Sequence, residues 1–207
     1  VGSASTADLG SAFSWAFSAF GKNWGTWVGL AVVVAVVQLL SFLLQIGIDN
    51  GFARTLFQIV FGIASILATV GLYRAALRRT QGVAPSFDAL TTGQNLVPFL
   101  ITAIVVGLLT FLGFALLVIP GLLAIFFLQF ANFRSLDTGE SVGQAIPGSI
   151  RMVLAAPLTA FLLLIVNAVA SFLGILLCFV GALFLVPIAT LITAHVYRQL
   201  RGEPIAP

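Results

Sequence analysis

The chain has 207 residues, of which 60% are hydrophobic, 12% aromatic and only 7% charged. A typical soluble domain is about 45–50% apolar and about 25% charged, so this chain has too little charge to cover the surface of a water-soluble globule. A soluble enzyme, a disordered chain and a DNA-binding module are excluded, which leaves an all-α polytopic membrane protein. The formal charge of +3, from nine Lys and Arg against six Asp and Glu, then reads as the basic bias of cytoplasmic loops.

The first predicted element is an amphipathic helix over residues 5–22. Leu9, Phe13, Phe17 and Phe20 recur at helical spacing opposite Asp8, Ser11, Ser14, Ser18 and Lys22, the pattern of a helix lying in the membrane surface. Ser5-Thr6-Ala7-Asp8 offers its cap. Beyond it, charged residues fence four apolar stretches. Asn23 to Ile48 and Thr55 to Tyr73 each suit one span of about 20 residues. Ala89 to Phe133 and Met152 to Tyr197 are too long for one helix and right for a hairpin of two. Gly113 before Pro120-Gly121, and Gly174 before Gly181, mark the two turns, since glycine ends a helix cheaply and proline suits a first turn.

The result is a single integral membrane domain over 1–207 with six spans, at 24–46, 54–73, 96–112, 120–136, 157–172 and 181–197. The spans form three hairpins, each preceded by a short interfacial amphipathic helix; the second such helix is Phe87 to Leu90 and the third Val142 to Val153. Six spans place Lys22, Arg74, Arg78, Arg79, Arg134, Arg151, Arg198 and Arg201 on one side and Arg54 alone on the other. The positive-inside rule then makes both termini cytoplasmic. Trp15, Trp24, Trp27, Tyr73 and Tyr197 fall near that basic side and are expected to anchor it as amphipathic rings.

Motifs for chemistry are weak. Gly139-Glu140-Ser141-Val142-Gly143 matches the nucleophile elbow, but it lacks a strand-turn-helix context and a histidine partner; it reads as a loop opening a helix. Asp137-Thr138-Gly139 resembles an aspartic-protease signature once, in an all-helical chain, and reads as a helix exit near Arg134. His195 stands alone, so neither haem ligation nor a metal site is expected, and no cofactor. It reads as an interfacial histidine near Tyr197 and Arg198. Cys178 reads as a small packing residue. Gln38, Gln45, Gln58 and Asn167 are candidate polar contacts between helices, since amides join helices inside a bilayer. No Asp, Glu, Lys or Arg lies deep in any predicted span, which counts against ion-coupled transport. Gly21, Gly25 and Gly29 form a small-residue run that would let another helix approach, either from within this protein or from a partner.

Three stretches carry a family resemblance: Ser11 to Phe17 followed by Phe20-Gly21-Lys22-Asn23-Trp24; Phe114 to Leu122, which reads FALLVIPGL; and Tyr197 to Pro207, which reads YRQLRGEPIAP. Together they resemble actinobacterial proline- and glycine-rich transmembrane proteins. More distantly they are similar to bacterial membrane domains of the glycerophosphodiesterase-associated type. Such proteins carry a Pro/Gly-rich cytoplasmic tail before the membrane domain, so the resemblance implies that this chain is the membrane domain without that tail. It brings no catalytic residues and implies a non-enzymatic protein of the bacterial plasma membrane. Relatives of this kind are similar to accessory subunits of the cytochrome bcc–aa3 respiratory supercomplex. The leading expectation is therefore a stabilising subunit bound to other integral membrane proteins and to lipids, with no nucleic-acid partner. The alternative is a passive transporter or flippase for a lipid or small neutral solute.

Overall fold

The computed structural model describes residues 7–47, 50–176 and 180–207. Ser5, Thr6, Cys178 and the side chain of Gln45 lie outside this description. Among the described residues the chain is helical throughout. The elements run α1 (Leu9–Lys22), α2 (Trp24–Gly47), α3 (Gly51–Thr80), a 3₁₀ turn (Phe87–Leu90), α4 (Leu96–Leu116), α5 (Val118–Leu128), α6 (Ala131–Thr138), α7 (Val142–Ala155), α8 (Pro157–Leu176) and α9 (Val180–Arg201). Six stretches are long and apolar enough to cross a membrane, with α5 and α6 counting together as one. The polytopic helical architecture and its three hairpins, α2–α3, α4–α5/α6 and α8–α9, are as the sequence predicts.

The details differ in physically instructive ways. α3 continues past Tyr73 to Thr80, so Arg74, Arg78 and Arg79 lie on a helix and not in a loop. At 30 residues it is about 45 Å long, well beyond a hydrocarbon core of about 30 Å. α4 likewise runs through the expected turn to Leu116, and a single extended residue, Leu117, connects it to α5. Gly113 and Gly121 therefore end no helix. A Cβ on Gly113 would lie 2.9 Å from the Gly121 backbone, so these glycines let α4 and α5 touch backbone to backbone. The second leading helix is only one 3₁₀ turn, too short for an amphipathic face.

α1 packs on the bundle through its small residues. Asp8 caps it, accepting from Gly10 N at 2.9 Å and Ser11 N at 3.2 Å. Its buried face is Ala12, Ala16 and Ala19, while Phe13 and Phe17 are exposed. Small side chains let α1 lie close against α9. Gln199 Nε2 donates to Ser11 Oγ at 3.0 Å, Trp15 packs on His195 with ring centroids 5.1 Å apart, and Phe20 meets Phe184 at 6.2 Å. Ascending numbers on α1 meet descending numbers on α9, so the two helices run antiparallel.

The span holding α5 and α6 is broken at Gln129–Phe130. A break inside a bilayer must have its freed backbone groups satisfied locally. Buried Ser149, on α7, does this: its hydroxyl donates to Phe127 O at 2.7 Å and accepts from Phe130 N at 3.1 Å. Gln129 Nε2 adds bonds to Phe126 O at 3.0 Å and Ala160 O at 3.3 Å, tying the break to α8.

The core gathers at the basic end. On α9 every residue from Pro187 to Arg198 is buried. On α2 no described residue beyond Ala31 is buried, and on α3 none before Ala68. On these three helices burial is thus concentrated at the end that carries most of the charges.

Candidate functional site

The most organised polar structure lies at the basic end, where α6, α9 and the segment after α9 meet. Asp137 lies in the last turn of α6, with its side chain only 10% exposed. Arg198 grips it with both terminal nitrogens: Nη2 to Oδ1 at 2.6 Å and Nη1 to Oδ2 at 2.9 Å. The Tyr197 hydroxyl donates to Oδ2 at 3.1 Å, and Arg201 Nη1 reaches that oxygen at 3.4 Å and the Tyr197 oxygen at 2.6 Å. Glu203 closes the set, pairing with Arg198 and, at 2.7 Å, with Arg201 Nε. Arg198 Nε donates to buried Thr80 Oγ1 at 3.1 Å, so α3 joins as well. Such fork-on-carboxylate bonds are the strong, directional kind. The Asp137 partner is Arg198 and not the nearby Arg134. Arg134 instead pairs with Glu140, at 2.8 and 2.6 Å. Gly148 makes room for it, since a Cβ there would lie 2.2 Å from Arg134 Nε.

The last residues lie back over this end. Ala206 N donates to Thr80 O at 2.8 Å, Trp15 Nε1 donates to Ala206 O at 2.7 Å, and Arg79 Nη2 donates to Pro207 O at 2.9 Å. Asn95, at the start of α4, adopts positive φ and donates to Leu136 O at 2.9 Å and Asp137 O at 3.3 Å, satisfying the end of α6. Gly139, at φ +72°, passes so close to Asn95 Oδ1 that a Cβ would lie 2.8 Å away. These contacts join α6 to α9, α9 to α3 and α4 to α6, and hold the last residues against α1 and α3. The arrangement fixes where the hairpins start; it presents no nucleophile next to a base.

The residues singled out from the sequence fall into distinct places. Of the aromatic anchors, Trp24 is well exposed, Trp15 and Tyr73 are half-buried, and Trp27 and Tyr197 are core. Trp27 Nε1 donates to Ala19 O at 3.3 Å, so the ring joins α2 to α1. Tyr73 stacks on Phe133 at 4.6 Å. His195 is buried against Trp15, not at an open interface. Asn167 bridges α8 and α9, its amide donating to Leu163 O at 2.9 Å and to Thr193 Oγ1 at 3.2 Å. Gln38 and Gln58 are exposed on the α2–α3 hairpin. The glycine run is split: Gly21 and Gly25 have open space before them, whereas a Cβ on Gly29 would lie 2.7 Å from Phe87 Cζ. Gly29 is used inside the protein. Ser141 begins α7, where Gln144 Oε1 accepts from its N–H at 3.3 Å.

These features define the class: a multi-pass helical membrane protein most of whose described charged side chains are gathered at one end of the bundle. The chain is similar to two mycobacterial proteins, uncharacterized protein Mb2590 of Mycobacterium bovis and uncharacterized protein Rv2560 of Mycobacterium tuberculosis. The identities are 27% and 26% over 226 residues, covering 95% of this chain and 70% of each relative. No known family profile matches the chain, and no solved structure matches it. Six apolar helices together with mycobacterial relatives fit a bacterial plasma-membrane protein.

Proposed function

We propose that this protein is a non-catalytic accessory subunit that stabilises a larger integral membrane complex, with both termini cytoplasmic. The first candidate for the complex is the actinobacterial cytochrome bcc–aa3 respiratory supercomplex, the assembly implied by the family resemblance. The observation that carries the reading is the pair Gln38 and Gln58. Gln38 lies nine residues before the end of α2 and Gln58 seven residues after the start of α3, about 13.5 and 10.5 Å from the connection at 1.5 Å per residue. The two amides thus stand at nearly the same depth on one hairpin. Both are exposed, and neither has a hydrogen-bond partner among the described residues. Lipid tails offer an amide nothing, whereas a neighbouring helix can bond it, at about 0.6–2 kcal/mol per contact. Gly21 and Gly25 open a close-approach surface at the head of the same hairpin.

A passive transporter or flippase is the second reading, and the break at Gln129–Phe130 is what favours it, because transporters place sites at broken helices. Ser149 and Gln129 already occupy the freed groups at this break, which weighs against a substrate there. The test is affinity purification from native membranes in a mild detergent, followed by mass spectrometry. The wild type should bring down subunits of a larger membrane assembly, and Gln38→Leu/Gln58→Leu should release them while remaining inserted and folded. Recovery of the chain alone or as a homo-oligomer would reject the accessory role in favour of the transporter.

A further inference from the structure

Arg74 holds a charge that the protein does not neutralise. The residue is 6% exposed. Its guanidinium donates to Ala89 O at 3.0 Å, to Thr92 O and to Gln94 O at 2.6 Å. Carbonyl dipoles orient a cation but carry no net charge, and among the described residues no carboxylate comes within ion-pair distance of it. These bonds use three of the five N–H donors of an arginine. A buried cation left in that state is costly.

Arg74 lines a cleft of about 130 Å³ together with Arg78, Gln81, Gln94 and Asp137. Arg78 stands one turn further along α3, with its side chain 26% exposed; it pairs with Asp88 at 2.9 Å, and the Asp88 side chain is itself 62% exposed. Gln81 and Gln94 are exposed, and each amide can donate as well as accept. Asp137 is the one carboxylate lining the cleft, and both its oxygens are taken up by Arg198, Tyr197 and Arg201. The cleft therefore has an excess of positive charge and a set of donors, Arg74, Arg78, Gln81 and Gln94.

We propose that this cleft binds a phosphate group, held by Arg74 and Arg78 with Gln81 and Gln94 at the mouth. Guanidinium forks match phosphate oxygens in geometry as well as charge. The group can arrive on a lipid headgroup or as free phosphate, and the chemistry of capture is the same.

The experiment uses the full chain in maltoside micelles, which contain no phosphate. Thermal melting is followed on adding inorganic phosphate, dioleoylphosphatidylglycerol, or dioleoylglycerol, which has the same chains without the phosphate. Phosphate or phosphatidylglycerol should raise the midpoint by several degrees, and dioleoylglycerol should not. Arg78→Gln should lose at least half of the gain, while Arg151→Gln, which removes the same charge from an exposed site on α7, should retain it. Arg78 is chosen because Arg74 also holds the loop it bonds. A gain from inorganic phosphate assigns the site to the free anion; a gain that needs phosphatidylglycerol assigns it to the headgroup. No gain from either, an equal gain from dioleoylglycerol, or a gain that Arg78→Gln keeps in full would overturn the proposal.

Discussion

Asp137→Ala should destabilise the protein by about 3–5 kcal/mol, the range for removing one partner of a buried ion pair and leaving the other unmatched. The expectation rests on burial as much as on distance. The Asp137 and Arg198 side chains are 10% and 6% exposed, and Arg198 has only Glu203 as a remaining anion. Tyr197 and Arg201 would also lose their shared acceptor. Thermal melting in detergent measures the loss, at about 2–4 °C per kcal/mol for a chain of this size. A cycle with Arg198→Met separates the pair from its context. If Asp137 matters because it neutralises Arg198, the double variant Asp137→Ala/Arg198→Met should be markedly less destabilised than the sum of the single ones. Additive losses would show that the two residues act independently.

The second large effect is expected at Gly113. A methyl group there would lie 2.9 Å from Gly121 Cα and N and from Pro120 C. These are backbone atoms, so no rotamer change relieves the clash. Gly113→Ala should cost about 1–3 kcal/mol, as overpacking does, and Gly113→Val more, by prising α4 from α5. Gly107, in the same helix, has nothing within 4 Å, and Gly107→Ala should leave the melting midpoint where it is or raise it slightly, since alanine is the better helix former. Equal midpoints for the two alanine variants would contradict the close approach. Gly121→Ala should be milder than Gly113→Ala, because its nearest neighbour is the Phe114 ring, which can turn aside.

The contrast between these two glycines and their reading as helix ends shows where sequence logic stops. Apolar length and the fence of charges gave the spans, because both are local properties of a chain facing lipid. A glycine that ends a helix and a glycine that admits another backbone look the same in one sequence. The face of α1 that meets α9 shows a similar limit. Phenylalanine is the more hydrophobic residue, but next to α9 the requirement was smallness, which Ala12, Ala16 and Ala19 satisfy at the same helical spacing. In a membrane the larger apolar side chain has no need to turn inward. The Asp137–Arg198 pair spans 61 residues, and nothing local joins them. The available signal was that both charges fall on the basic side, which placed them at one end of the bundle without pairing them. Asn167 was legible as a link because an amide in an apolar span has few other partners. Gln38 and Gln58 look the same in the sequence and yet face outward, and only packing distinguishes the two cases.

That outward pair is the feature on which the functional reading depends, and it can be probed in place. A photo-crosslinking amino acid substituted at Thr55 or Gly62, both exposed on α3 and about one turn either side of Gln58, should capture a second polypeptide when native membranes are illuminated. The same group at Leu116, also exposed but at the end of α4, should yield no such adduct. If Thr55 and Gly62 crosslink only to lipid, or to no greater extent than Leu116, the hairpin has no protein neighbour and the accessory-subunit account is contradicted.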